Sequence, residues 1–352
     1  MFLKTNSFHI EGFKYLFYDI FIKNNYIYLI CALYDQEIDI SKLTLCIDNI
    51  QLPVYKIIKR IDYEPAEIIM YHNPSNTKNV TINVTYNGIE RTFILENNKI
   101  NKNYSLTITT LLKDDYSLFP IFYKYYKNQG VEHFYMYYNG AVTTEIEAMF
   151  NLYDVTLIEW NFKYWNILHF RSIQDLKNMF GIEYTQFLEN DFYYWRDKYP
   201  TVDRFHQLAQ MGQLHHSLYK YGKDNSEYMI FCDLDEYLHV PLVSILDTIK
   251  KDNTIDIFGF KNYWSATLDG TVPEEMPSIF LYDKTTLQYP IRSKSIYKTS
   301  TVDIISPHHG HLFSKTPKII TEFMMFHFAG WSGKKRECYN INTQYRLVPN
   351  TI

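Results

Sequence analysis

Tyr228-Met229-Ile230-Phe231-Cys232-Asp233-Leu234-Asp235-Glu236-Tyr237-Leu238 decides how the chain is read. It starts as a short uncharged run rich in aromatic and branched residues, the pattern of a buried strand. It then delivers three carboxylates within four residues. In open α/β sheets ligands gather at the C-terminal ends of strands. Carboxylates at alternate positions of an extended segment point the same way, and a divalent cation relieves their repulsion. Hard oxygen ligands suit Mn²⁺ or Mg²⁺ bridging to phosphates. Asp233 and Asp235 therefore read as a metal–diphosphate site. The plainer alternative is a strand end with solvated carboxylates.

Outward from this stretch, the pattern on the N-terminal side alternates strand and helix. Ser105 to Leu112 is strand-like, Tyr116 to Gln129 has helical spacing and stops at Gly130, and His133 to Tyr138 is a second strand. A helix across Thr144 to Leu152 leads to a third strand, Val155 to Ile158. Such a β-α-β-α-β run predicts a mostly parallel sheet with helices on its faces. Gln207 to Tyr221 reads as the helix feeding the carboxylate-bearing strand. The segment between, near 160–206, is an aromatic-rich insertion that either packs on the sheet or stacks on sugar rings.

Residues 1–103 read differently. Short strands dominate, and Val80 to Tyr86, Asn87-Gly88, then Arg91 to Leu95 is a strong hairpin signal. This predicts a β-rich, sandwich-like accessory domain, with a polar linker from Glu96 to Asn103 and a second domain over 104–352. No catalytic constellation is evident in the first part, which reads as a packing or partner-binding module. Beyond the carboxylates, Pro241 to Lys250 reads as a helix, Ile255 to Phe260 and Lys294 to Tyr297 as strands. His308, His309, His311 and His327 then follow in the last fifty residues.

Bulk properties exclude several classes. The chain has 352 residues, 46% hydrophobic and 21% charged, which supports a sizeable core and argues against disorder. A net charge of −4 gives no electrostatic case for nucleic acid. The four cysteines show no metal-binding spacing, and Cys232 reads as a small core residue. No basic region followed by an apolar core opens the chain, and Tyr15 to Tyr34 is too polar to span a bilayer. The expectation is a soluble, cytoplasmic protein with no transmembrane segment, in which the sequons at Asn79, Asn83 and Asn103 carry no weight.

Two chemistries place Asp-x-Asp at a strand end. Haloacid-dehalogenase-like phosphatases continue with Thr or Val where this chain has Tyr237, and they need later Lys and Asp elements that are not evident here. GT-A glycosyltransferases place the motif after a β-α-β run, as found here. They use it to hold a cation that neutralises the leaving nucleoside diphosphate, with a neutral His nitrogen as a fitting third ligand. A non-catalytic carbohydrate-binding protein with a degenerate GT-A domain is a further alternative.

Residues 104 to about 337 resemble glycosyltransferase family 92, the DUF23-like group with bacterial and viral relatives. Leu111-Leu112-Lys113-Asp114 resembles its first strand-to-loop element, and Gly130 to Asn139 its GVxHFYxYDN element. Gln210 to Lys220 running into Phe231 to Leu238 resembles its Gln-bearing helix and DxDEF strand. Lys294-Ser295-Ile296, His309 and Phe326-His327-Phe328 resemble its late elements. Tyr138 stands where the family often has Asp, and His215-His216 replaces an Asn-Asp pair. The resemblance implies inverting transfer from a UDP-sugar, galactose first, to a hydroxyl of a glycan or glycoprotein acceptor. Asp235 is expected as primary metal ligand, Asp233 as a ligand of ribose, metal or both, and His327 as third ligand, with His309 next. Glu236 is expected to anchor the loop. Lys294 is expected to share the diphosphate charge. Thr109, Lys113, Asn139 and Gln210 are expected near the nucleotide. An inverting enzyme needs a general base, and Asp269, in a loop beside Trp264, is the candidate, with Glu274 and Glu275 as rivals.

Overall fold

The computed structural model describes residues 1–11, 14–32, 38–60, 66–97, 102–162, 209–240, 244–251, 254–283, 294–308, 317–331 and 345–349. His309 and nearly all of the aromatic-rich insertion lie outside the described residues. The N-terminal part contains β1 (Phe2–Leu3), β2 (Phe8–Glu11), β3 (Lys14–Lys23), β4 (Tyr26–Cys31), β5 (Leu43–Ile47), β6 (Ile50–Gln51), β7 (Val54–Arg60), β8 (Ala66–His72), β9 (Asn79–Tyr86) and β10 (Ile89–Glu96). Asn87 and Gly88, both at positive φ, make the two-residue turn between β9 and β10. That backbone suits a right-twisted hairpin and favours these two residue types.

From Tyr104 the architecture changes. β11 (Tyr104–Leu112), α1 (Phe119–Asn128), β12 (His133–Tyr138), α2 (Thr144–Phe150) and β13 (Val155–Glu159) follow in turn. Pro120 lies in the first turn of α1, and Gly130, at φ +90°, turns the chain after it. Thr143 caps α2 by accepting from the Ile146 amide at 3.3 Å. α3 (Ala209–His216) runs directly into a π-helical turn (Ser217–Gly222) and then β14 (Ser226–Phe231). The remainder is β15 (Glu236–His239), α4 (Ile245–Ile249), β16 (Ile257–Ala266), β17 (Ile279–Asp283), β18 (Lys294–Lys298), β19 (Pro317–His327) and β20 (Tyr345–Pro349). Ser244 caps α4 by accepting from the Asp247 amide at 3.1 Å; the first three residues of the helix expected over Pro241 to Lys250 lie outside the described residues.

The protein is a mixed α/β molecule built on one large mixed sheet. Its strand order runs β1-β13-β12-β11-β14-β18-β16-β17-β20, with β19 on β16 and β15 on β19. β13, β12, β11 and β14 are parallel, whereas β18 returns antiparallel to β14. The chain steps from β11 outward to β12 and β13, then comes back to lay β14 on the other side of β11. This reversal makes a crevice at the C-terminal ends of β11 and β14, where open sheets place ligands. Asp233 and Asp235 leave β14 at that point.

The β-rich part forms a five-stranded sheet (β2-β3-β4-β8-β7) and a four-stranded one (β10-β9-β5-β6). Ile27, Leu29 and Cys31 of β4 pack with Leu45, Ile82 and Val84 from the other sheet. Tyr28 and Ile30, the alternate residues of the same strand, pack instead with Leu214 and Leu218 and with Tyr137 and Trp160 of the large sheet's side. β4 is thus buried on both faces, which is why it reads as a continuous apolar run rather than an alternation. α3 sits between the two sheets, and a Cβ on Gly212 would collide with the Tyr18 ring. β1 belongs to the large sheet, pairing with β13.

Polar groups lock the same boundary. Asp19 on β3 is fully buried; its Oδ2 accepts from His216 Nε2 and Lys220 Nζ, both at 2.7 Å, and its Oδ1 accepts from the Asn6 amide at 2.6 Å. The Tyr137 hydroxyl completes the chain, 2.7 Å from His216 Nδ1. Lys23 Nζ donates to the carbonyls of Tyr219, Lys220 and Lys223, which closes the end of the π-helical turn.

Candidate functional site

The crevice is shaped by three strands set in one row. Glu236 on β15 pairs directly with His327 on β19, and His327 pairs directly with Trp264 on β16. Paired residues project from the same sheet face, so the three side chains are neighbours. Asn262, two residues before Trp264, shares that face. α1 pins the row from behind. The Tyr126 hydroxyl donates to the Glu236 carbonyl at 2.9 Å and accepts from the Leu238 amide at 3.0 Å. Tyr125 donates to the Leu238 carbonyl at 2.9 Å.

Four charged groups and an imidazole meet there. The Glu236 amide donates to the Asp233 carbonyl at 3.1 Å, while the Asp233 amide donates to Glu236 Oε2 at 2.9 Å. This reciprocal pair closes the turn that presents Leu234 to the core and Asp235 to the crevice. Lys294, fully buried at the start of β18, places Nζ 2.9 Å from Glu236 Oε2 and 3.2 Å from Asp233 Oδ2. Burial alone would lower its pKa, but Asp233 and Glu236 raise it above the ordinary lysine value. Its ammonium also lies 4.8 Å from the Phe231 ring centroid. Asp235 Oδ2 is 3.4 Å from His327 Nε2, and the Trp264 ring lies 4.7 Å from the His327 ring at 31°.

Charge is not balanced in this cluster. Asp233, Asp235 and Glu236 face a single ammonium, and with His327 neutral two negative charges are left over. Asp235, 5% exposed, has no Lys or Arg within ion-pair distance among the described residues. A buried carboxylate without a cation is costly. Asp233 is the open side of the cluster, its side chain about one-third exposed. No group of three or more His, Cys, Asp or Glu side chains among the described residues is already arranged as a metal site. The donors present nonetheless fit a divalent cation. Two carboxylates and one imidazole offer oxygen and nitrogen atoms of the kind such a cation takes.

The other sequence candidates fall in distinct places. Lys113, exposed just after β11, has its amide held by Asp115 Oδ1 at 3.0 Å. Thr109 lies deeper. It is fully buried, its hydroxyl donating to the Tyr135 carbonyl at 3.3 Å and accepting from Gln213 Nε2 at 2.7 Å. Asn139 is also buried, and both of its amide hydrogens go to the chain after β13, at the carbonyls of Trp160 (2.9 Å) and Phe162 (2.7 Å). Gln210 is half-buried on α3, and Gln213, one turn later, is the glutamine that reaches β11. Asp269 is exposed in the loop after β16, where the Thr271 amide and hydroxyl both donate to it, at 3.0 and 2.8 Å. Those bonds hold its carboxyl below the usual range. Cys232 is buried, and burial pushes its thiol up, consistent with a core residue.

Asn262 and Gln213 were not singled out from the sequence. Asn262 was detectable in principle, as a polar residue inside the apolar run Phe258 to Trp264. Its Nδ2 donates to Glu236 Oε1 at 3.0 Å. Gln213 gave no such signal, since one glutamine on a helix looks like another until its face is known.

Comparison with known proteins adds the following. A family model described as Glycosyltransferase family 92 matches residues 102–347. No curated protein matches the chain. Among solved structures, the crystal structure of S. aureus TarS 1-349 is similar over 68% of this chain and 67% of that chain, with 8% sequence identity and a TM-score of 0.36. No helix among the described residues is long and apolar enough to cross a membrane.

Proposed function

The chain belongs to glycosyltransferase family 92 and is a glycosyltransferase; from that premise we propose that it moves a sugar from a UDP-linked donor, galactose first, to a hydroxyl of a glycan acceptor with inversion. The observation that carries this reading is the unbalanced carboxylate cluster at the reversal of strand order. Asp235 and His327, with Asp233, would hold Mn²⁺ or Mg²⁺, and His309 remains the alternative imidazole. When bound, the cation supplies a counter-charge for the diphosphate as it leaves.

The chain's own residues do the rest. Lys294, between Asp233 and Glu236, would add to the stabilisation of the departing group. Lys113 would join it from the end of β11. Thr109, Asn139 and Gln210 act in this reading by shaping the walls: Thr109 fixes Gln213 against β11, and Asn139 holds the chain after β13. Trp264 packs on His327 and fixes its ring plane. Asp269 follows on the next loop and is the proposed base for the acceptor hydroxyl. The parallel half from β11 to β14 supports a GT-A-like arrangement over 104–352, with 1–103 as the accessory part.

The test is turnover of UDP-sugars with and without Mn²⁺, paired with thermal-shift measurement. One UDP-sugar should stabilise the protein selectively, and Asp235→Ala should reduce Mn²⁺-dependent turnover by more than about 100-fold. Unchanged turnover in that variant sinks the metal assignment. Asp269→Asn should slow transfer by roughly 10²-fold or more with donor affinity intact. Weakened UDP binding instead would remove Asp269 from the base role.

A further inference from the structure

We propose that Asn262 is a positioning residue for the turn that carries Asp233 and Asp235: by holding one oxygen of Glu236 it reserves the other for the Asp233 amide; this rests on the reading of the two aspartates as cation-binding carboxylates. Asn262 is fully buried on β16, and its cross-strand neighbour is Met325, which pairs in turn with Leu238. Phe258, Phe260 and Trp264 flank it along the strand. In these apolar surroundings its Nδ2 donates to Glu236 Oε1 at 3.0 Å, while its Oδ1 has no hydrogen-bond partner among the described residues. A buried carbonyl left unpaired costs stability. The side chain is thus kept in the core for its N–H rather than for its packing.

What that N–H does follows from the other contacts of Glu236. Oε2 accepts from Lys294 Nζ and from the Asp233 amide, each at 2.9 Å, and the Glu236 amide donates back to the Asp233 carbonyl at 3.1 Å. The terminal torsion of a glutamate is soft, and an ammonium, a compact charge with rotatable donors, takes either oxygen. Lys294 therefore retains the carboxylate without fixing its plane. A planar amide supplies a directional bond. Asn262 commits Oε1, so Oε2 stays on the turn. Among the described strands β15 pairs with β19 alone, and the Asn262–Glu236 bond links the first residue of β15 to β16 across it. Without that bond the turn from Asp233 to Glu236 is firmly closed on one side only, and the two aspartates are free to splay.

Hydrogen exchange of the ligand-free protein, followed amide by amide by NMR, tests this before any metal is added. Asn262→Leu keeps the branched shape without the N–H, and Asn262→Ala removes both. In both variants the Asp233 amide should exchange roughly tenfold faster or more, with Ile108 and Ile230, paired in the sheet interior, unchanged. Mn²⁺ affinity, read by calorimetry, should fall by roughly 10–100-fold. An Asp233 amide as protected as in the wild type overturns the proposal. So does equal acceleration at Asp233, Ile108 and Ile230 in both variants, or failure of both to fold, the signature of a residue that only supports the core. Local loosening with undiminished Mn²⁺ affinity overturns it too. Local loosening alongside a wild-type protein that binds no Mn²⁺ upholds the hold of Asn262 on the turn and overturns the cation reading instead.

Discussion

The protein contains two buried charge clusters that use similar residues to opposite ends. At the boundary between the five-stranded sheet and α3, Asp19 is satisfied on both oxygens by Asn6, His216 and Lys220, and His216 is satisfied on both nitrogens by Asp19 and Tyr137. At the end of β14, Asp233 and Glu236 share one ammonium and Asp235 has none among the described residues, His327 Nδ1 and Asn262 Oδ1 have no hydrogen-bond partner, and Asp233 is partly open to solvent. The first cluster is closed: its charges cancel locally and hold two sheets together. The second is open, with excess negative charge and idle donors. A fully satisfied polar network specifies structure, whereas unsatisfied buried groups destabilise unless a ligand completes them. The contrast therefore separates a closed cluster from an open one by the partners each side chain has rather than by residue type.

Mutating each cluster in turn should bring out the difference most sharply. Asp19→Ala strands His216, the Asn6 amide and Lys220, and should destabilise the protein by about 3–5 kcal/mol in urea unfolding. A loss of less than about 1 kcal/mol would break the claim that this cluster is structural. Acid should act on the closed cluster by degrees. Burial pushes the pKa values of His216, His215 and His133 down to about 4, so each is neutral in the folded protein over a range where the unfolded chain binds a proton. Stability should thus fall as pH drops from about 6.5 to about 4. Asp19 extends the loss. Burial would raise its pKa, yet Lys220 and His216 hold it down to about 2, so its contribution disappears between about pH 4 and pH 2. A melting temperature flat between about pH 6.5 and pH 4 would contradict the buried neutral histidines. The smallest effect is expected at the open cluster. Asp235→Asn removes a charge that has no cation partner, so the melting temperature should stay level or rise while turnover is lost, the usual opposition of stability and function. A marked drop would show that Asp235 is structural after all.

The sequence was most legible where one local pattern governs one element. The strand-helix alternation from Tyr104 to Glu159 and the Asn87-Gly88 turn are of this kind. The carboxylates at the end of β14 were legible for the same reason, since a strand end is a local feature. What escaped was whatever depends on two distant segments meeting. Asp19 looks like an interruption in an apolar strand, and nothing near it announces Lys220 or His216, about two hundred residues away. The distinction between Gln210 and Gln213 depends on which face of α3 meets β11. Asn139 reads as a loop residue beside a ligand, whereas its amide hydrogens bind the carbonyls of Trp160 and Phe162. Short polar side chains at strand ends serve loops and ligands equally well, and only the neighbours decide.

The alternation of β4 between two cores bears on how this molecule tolerates change. Ile27, Leu29 and Cys31 answer to one set of neighbours and Tyr28 and Ile30 to another. A one-residue slip in that strand exchanges the two sets and mismatches both cores at once. Insertions should therefore be absorbed in the turns flanking β4 and not within it. The same strand has no polar side to show to water. Expressed without the rest of the chain, the β-rich part would expose Tyr18, Tyr28 and Ile30 together with the stranded charges of Asp19 and Lys23, and self-association is its expected fate. The rest of the chain thus keeps that face out of water as well as carrying the candidate site.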